Sequence, residues 1–288
     1  MKYQIARQIY LRLLAIVAGA VCISSCTGLD PEASARMADG AVAASRPSSS
    51  AIVQPAASDA TLKNPHRTPP DRTDEERRLA AAVLDYFGIE SGMTVLDLYT
   101  GAGRYSELLY YRVGPSGRVV MHHNTPYLSL AGTEFAARYR AGRTPNVEEL
   151  VMENDEIELP DKQFDAVVMI MAYHDVYRAD DKDGWTRIDR TDFLAEVYEA
   201  MKPGAVLGIV DYAAAPGAPE KTGGTLHRID PQLIRRDMIA AGFVFEGESN
   251  ILRNPKDDYS RVAYDESVRD RIDRVVLRFR KPLPEENE

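Results

Sequence analysis

Cysteine is nearly absent from this sequence. Of 288 residues only Cys22 and Cys26 carry a thiol, and none follows residue 26. The remainder of the chain can therefore hold neither a disulfide nor a thiolate metal site. Tryptophan occurs once, at Trp185. A basic surplus is also missing: 35 Lys and Arg stand against 44 Asp and Glu, a net charge of −9. That balance excludes the cationic footprint expected of a binder of nucleic-acid phosphates. What is present is ordinary for a globular protein, with 44% hydrophobic and 27% charged residues, 19 Gly and 17 Pro. Collagen-like, coiled-coil and wholly disordered readings are excluded by these values, and no internal repeat is visible.

The first residues carry Lys2, Arg7 and Arg12 without an acid, followed by the apolar run Leu13–Ile23. That run is too short for a hydrocarbon core that takes about 20 residues to cross, but it has the length of a secretory signal. Ile23-Ser24-Ser25-Cys26 resembles a bacterial lipobox, which implies a signal over residues 1–25 and an acylated Cys26. Thr27, in place of the Asp used for inner-membrane retention, points to the outer membrane. The expected location is thus the cell envelope, on its periplasmic side, with a lipid anchor. A plain cleaved signal or a noncleaved anchor is the alternative. Residues 26–70 are rich in Ala, Ser and Pro and poor in large apolar residues, so they are expected to form a tether that cannot offset its chain entropy.

From residue 71 to 283 the pattern alternates. Thr73-Asp74-Glu75-Glu76 has the spacing of a helix start, and Gly88 that of its stop. Strands are predicted over 94–98, 118–122, 146–152, 164–171, 205–211, 243–249 and 274–280. Helices are predicted over 105–113, 129–141, 192–201 and 230–241. This alternation predicts a single α/β domain with a mostly parallel, doubly wound sheet, leaving 284–288 as a tail. In such a sheet ligands bind at the carboxyl ends of the strands. The first such end reads Asp97-Leu98-Tyr99-Thr100-Gly101-Ala102-Gly103, whose glycines permit a tight turn beside a ligand.

The segments VLDLYTGAGRYSELL, LPDKQFDAVVMIMAYHDV, AMKPGAVLGIVDY, HRIDPQLIRRDMIAAGF and RVVLRFRKP, in this order, resemble the class I S-adenosylmethionine-dependent methyltransferases. HNTP, YHD, HRIDP and LRNPKDD resemble, more narrowly, a group of predicted exported bacterial methyltransferases. The resemblance implies a Rossmann-like sheet with an antiparallel last strand, S-adenosylmethionine as cofactor and methyl transfer to a small molecule. It assigns the cofactor to Asp97, Tyr99, Thr100, Gly101 and Gly103, with Asn124 for a ribose hydroxyl and Asn154 and Asp155 for the adenine. Two positions depart from the family: Tyr99 stands where glycine is usual, and strand two ends in Asn124 rather than a carboxylate. A noncatalytic binding module with a degenerate cofactor site is therefore a second expectation.

Methyl transfer from a sulfonium needs alignment and, for some acceptors, a base. By family geometry Tyr173, His174 and Asp175 lie beside the methyl group. His174 is the expected base, because imidazole titrates near neutrality, and Asp175 an orienting group. Asp211, His227, Arg228 and Trp185 are expected around the acceptor, with the loop 213–225 as a lid. His122 and His123 alternate along a strand and cannot form a metal pair. His174, His227 and Asp211 have no spacing that demands a metal, so none is expected. The oligomeric state is left open.

Overall fold

The computed structural model describes residues 69–139, 144–178, 184–269 and 271–286. The expected signal, Cys26 and the tether as far as residue 68 lie outside the described residues. The elements are α1 (Pro69–Arg78), α2 (Ala80–Phe87), β1 (Thr94–Leu98), α3 (Arg104–Val113), β2 (Arg118–His123), α4 (Thr125–Tyr139), β3 (Val147–Val151), β4 (Phe164–Ile170), α5 (Arg190–Ala200), β5 (Met201–Tyr212), α6 (Thr222–Leu226), α7 (Pro231–Ala240), β6 (Val244–Ser249) and β7 (Arg274–Arg280).

These strands form one seven-stranded sheet in the order β3-β2-β1-β4-β5-β7-β6. β3, β2, β1, β4 and β5 pair in parallel, whereas β7 runs antiparallel to both β5 and β6. The strand order reverses between β1 and β4, which places a crevice at their carboxyl ends.

Both faces are covered, and the two-residue period of the strands sorts the core. Leu96 and Leu98 of β1, Val167 and Met169 of β4 and Leu207 and Ile209 of β5 share one buried face with Phe193, Leu194 and Val197 of α5 and Ile234 and Met238 of α7. Val95, Ala166, Val168, Val206 and Val210 face the other way, against Val83, Leu84 and Phe87 of α2 and Leu108, Leu109 and Val113 of α3. Among the described residues no helix is long and apolar enough to cross a membrane.

Several boundaries differ from the sequence expectation for physical reasons. α1 begins at Pro69, not Thr73, because Pro69-Pro70 occupy the first turn, where a missing N–H costs nothing. Thr73 is interior, and its hydroxyl donates to the Pro69 carbonyl at 3.3 Å. Leu79, in a left-handed conformation with φ 47°, then separates α1 from α2. α4 starts at Thr125 rather than Ser129, since Asn124 Oδ1 accepts from the Tyr127 N–H at 2.9 Å. The chain departs from helical geometry at Gly132, and the expected end of α4 at Ala141 lies outside the described residues. Lys202-Pro203-Gly204 is not a turn ahead of β5 but a bulge within it: Phe164 pairs with Met201 and Ala166 with Val206. The tail is folded as far as Glu286, whose carboxylate takes Arg280 Nη1 at 2.7 Å.

Candidate functional site

The carboxyl end of β1 delivers Asp97 into a buried position, where Oδ2 accepts from the Thr100 hydroxyl and from Ser106 Oγ at 2.5 Å. Burial raises the Asp97 pKa to about 6 even though both hydroxyls donate to the carboxylate. The loop that follows is held in left-handed geometry at three alternating positions: Tyr99 (φ 55°), Gly101 (φ 59°) and Gly103 (φ 73°). At Gly101 a Cβ would meet nothing within 4 Å, so the backbone there borders open space. That space is a cavity of about 350 Å³ lined by Asp97, Tyr99, Thr100, Gly101, Tyr127 and Met171, with Arg78, Arg104 and Arg269 also on its wall.

Tyr99 closes one side of this cavity. Its ring lies edge-on to His122 at 4.8 Å and near Tyr127, Trp185 and Phe193 at centroid distances of 5.4, 6.0 and 6.1 Å. The side chain is buried, and its hydroxyl donates to Asn154 Oδ1 at 3.0 Å. Asn154 Oδ1 also accepts from Asn124 Nδ2 at 2.8 Å, while Asn154 Nδ2 donates to the Thr186 carbonyl at 2.6 Å. Asn124 and Asn154, expected at a ribose and an adenine, are thus bonded to each other behind Tyr99, and neither lines the cavity. Asp155 is exposed and does not line it either. His122 and His123 are buried apart, their Nε2 atoms against the carbonyls of Met152 at 3.1 Å and Gly101 at 2.8 Å.

At the end of β4 the chain makes a short 3-10 turn, Tyr173–Tyr177. Tyr173 points away from the cavity, donating its hydroxyl to Asp237 Oδ2 at 3.0 Å, which corrects its expected place beside the methyl group. His174 is fully buried and pinned by Asp211: the backbone N–H donates to Oδ2 and the ring Nδ1 faces Oδ1, both at 2.7 Å. Its Nε2 lies 3.3 Å from His227 Nδ1 and 3.5 Å from the Tyr264 hydroxyl. Asp175 takes a hydrogen bond from the Tyr127 hydroxyl on Oδ2 at 2.7 Å. Its Oδ1 is buried and makes no hydrogen bond. Burial alone would lower the His174 pKa, but the carboxylates of Asp211 and Asp175 outweigh it and bring it up to about 9. An imidazole in that state already holds its proton at neutral pH. The arrangement is therefore a buried cluster of one imidazolium and two carboxylates rather than a free base open to an acceptor.

The expected acceptor residues separate. Asp211 and His227 join the His174 cluster. Arg228 does not: it is fully buried, with Nη1 and Nη2 on Asp257 at 2.8 and 3.2 Å and further bonds to the carbonyls of Ala213 and Arg261. It is a structural clamp and cannot touch an acceptor. Trp185 is buried in the aromatic group around Tyr99, with the Arg178 guanidinium 5.2 Å above its ring. The segment expected as a lid carries α6, which packs on the 3-10 turn. A Cβ on Gly223 would collide with the His174 carbonyl, so only glycine lets α6 approach closely enough to bring His227 to His174.

Comparison with known proteins shows what part of this chain is similar to. Residues 96–209 match the family described as a methyltransferase domain. The fold is that of the class I methyltransferases. A putative sarcosine dimethylglycine methyltransferase of Galdieria sulphuraria superimposes with a TM-score of 0.53 at 15% identity, over 74% of this chain and 88% of that one. A geranyl diphosphate methyltransferase in complex with S-adenosylmethionine gives 0.51 at 16%, over 77% and 94%. In sequence, a chloroplastic 2-phytyl-1,4-beta-naphthoquinone methyltransferase of Arabidopsis thaliana is 30% identical over 132 residues, 45% of each chain. A ubiquinone/menaquinone biosynthesis C-methyltransferase of Hydrogenovibrio crunogenus is 27% identical over 130 residues, 45% of this chain and 46% of that one. The chain thus spans less than half the length of these curated relatives.

Within the methyltransferase fold, Tyr127, Met171, Tyr264 and the three arginines of the cavity were missed by sequence reasoning. Tyr127 directly follows the HNTP motif, but only the fold turns its hydroxyl to Asp175. Tyr264 lies in a stretch without periodicity and carried no signal at all.

Proposed function

We propose that this chain is an S-adenosylmethionine-dependent methyltransferase acting on a small-molecule acceptor. The observation that carries the reading is the cavity over the glycine loop at the β1–β4 edge, most of whose lining lies in the segment that matches the methyltransferase family. The cofactor would bring an activated methyl group on its sulfonium, ready for in-line displacement. Asp97 and the backbone of Thr100–Gly103 fit the task of holding it: the carboxylate lines the cavity, and the loop leaves open space at Gly101. Tyr99 and Tyr127 supply an aromatic wall that would orient a flat or apolar acceptor and exclude water. The naphthoquinone in the name of the Arabidopsis thaliana relative is of that kind.

A second reading, a noncatalytic binding module, is favoured by one specific observation. Tyr99, Asn124 and Asn154 bond to one another where an adenosine would be held. A titration of the full chain with S-adenosylmethionine and S-adenosylhomocysteine separates the two. Binding at micromolar concentration, weakened by Asp97→Ala, is the outcome expected of the enzyme. Absence of heat at high micromolar ligand would favour the module.

We infer further that the protein acts in the cell envelope, held by a lipid on Cys26. Support comes from the basic flank, the apolar run and Ile23-Ser24-Ser25-Cys26. Labelled fatty acid should be incorporated by the wild-type chain and not by Cys26→Ser; equal labelling of both would refute the anchor.

A further inference from the structure

Four side-chain donors from three separate segments of the chain converge beside the cavity. His174 Nε2 and His227 Nδ1 are 3.3 Å apart. Asp175 Oδ1 lies 3.6 Å from His174 Nε2 and 3.5 Å from His227 Nδ1. The Tyr264 hydroxyl stands 3.2 Å from His227 Nδ1 and 3.5 Å from His174 Nε2. We propose that His174, Asp175 and His227 bind one divalent cation of the zinc class, with Tyr264 at the fourth corner.

The spacing is the first argument. Bonds of about 2.0–2.1 Å from nitrogen or oxygen to a tetrahedral metal place neighbouring donor atoms about 3.3–3.4 Å apart. The five separations, 3.2–3.6 Å, cluster around that edge length, and four of them exceed the about 2.7–3.2 Å of good hydrogen bonds between such atoms. A bound cation would take the place of the proton that His174 Nε2 otherwise holds against His227 Nδ1.

The second argument is independent of the first. Asp175 is 4% exposed, and its Oδ1 is buried without a hydrogen bond while aimed at both histidines. An orphaned carboxylate oxygen is costly unless a cation claims it. Its other oxygen is fixed by the Tyr127 hydroxyl.

The supporting shell is the third. Asp211 receives His174 Nδ1 at 2.7 Å, so a cation that displaces the Nε2 proton meets a nitrogen already turned toward the cluster. A carboxylate behind a histidine is the usual support of a metal-bound imidazole. His227 is held at φ 52°, a strained conformation for a non-glycine residue, beside the Arg228–Asp257 clamp. Two imidazoles, a carboxylate and a phenol oxygen suit zinc, iron, nickel or copper better than calcium or magnesium. A divalent cation would also neutralise the buried carboxylates of Asp175 and Asp211. This site stands whether or not the chain transfers methyl groups.

The full chain, stripped with a chelator and dialysed, is titrated with zinc chloride by calorimetry. One equivalent should bind with Kd below about 1 μM. His227→Gln and Asp175→Asn should each weaken binding at least about 100-fold, and Asp211→Asn about 10–100-fold. Cobalt supplies a readout that needs no variant: a four-coordinate site gives intense visible absorption, a solvated ion a pale one. No zinc binding at 100-fold the expected Kd, unchanged affinity in His227→Gln and Asp175→Asn, or a pale cobalt spectrum would each overturn the proposal.

Discussion

Arg228→Ala should destabilise the protein by about 3–5 kcal/mol, because it leaves the carboxylate of Asp257 buried and uncompensated. Arg228 is 0% exposed and Asp257 6%, and the guanidinium also satisfies the carbonyls of Ala213 and Arg261. Asp257 Oδ2 in turn accepts from the Asp273 N–H at 2.7 Å, so the pair joins the loop after β5 to the start of β7. For a domain of this size the loss corresponds to a fall in Tm of roughly 8–15 °C. Urea unfolding of Arg228→Ala, Asp257→Ala and the double variant measures it. The double variant should recover much of the loss, since neither charge is then left alone. Additive losses would mean that the two residues act separately and that the clamp is misassigned.

Asp97→Asn should separate stability from binding. The Asp97 pKa lies at about 6 in the folded protein, against an ordinary value of 3.8. Because the folded pKa is the higher one, the folded state binds the proton more tightly. The stabilisation from protonation is complete below about pH 4 and is lost as the pH rises through 6. An asparagine imitates the protonated acid at every pH, and the hydroxyls of Thr100 and Ser106 can rotate to suit it. At pH 7 the variant should therefore unfold with up to about 3 kcal/mol more free energy than the wild type, and this difference should vanish near pH 4. Its affinity for S-adenosylmethionine should fall by about 10–100-fold, the value of hydrogen bonds to a charged acceptor. Urea melts at the two pH values and a parallel titration check both halves. A variant less stable than the wild type at pH 7 would show that the carboxylate is needed to hold the loop.

Much of this molecule is legible one residue at a time. The run Phe164–Ile170 reads as a buried strand because both faces of its strand are covered, and Asp97-x-Tyr99-Thr100-Gly101 marks a ligand edge because glycines there border open space. Other features depend on contacts that local pattern cannot encode. Arg228 beside His227 looks like an active-edge cation, yet its fate is decided by Asp257, 29 residues away. His174 looks like a base until Asp211 and His227, 37 and 53 residues distant, are brought against it. Asn124 and Asn154 seem free to meet a ligand, and only the β2–β3 pairing shows them bonded to each other behind Tyr99. Pro69-Pro70 resembles a linker in sequence because the same residues that break a helix are welcome in its first turn.

The β1–β4 edge of this fold is the proposed seat of methyl transfer. Release of S-adenosylhomocysteine measures it most directly, with the full chain, S-adenosylmethionine and a panel of small-molecule acceptors that includes a reduced naphthoquinone. Release should depend on an acceptor and fall at least about tenfold in Asp97→Ala, where a carboxylate of the cavity wall is lost. Release that is absent with every acceptor, or that persists unchanged in Asp97→Ala, would contradict it.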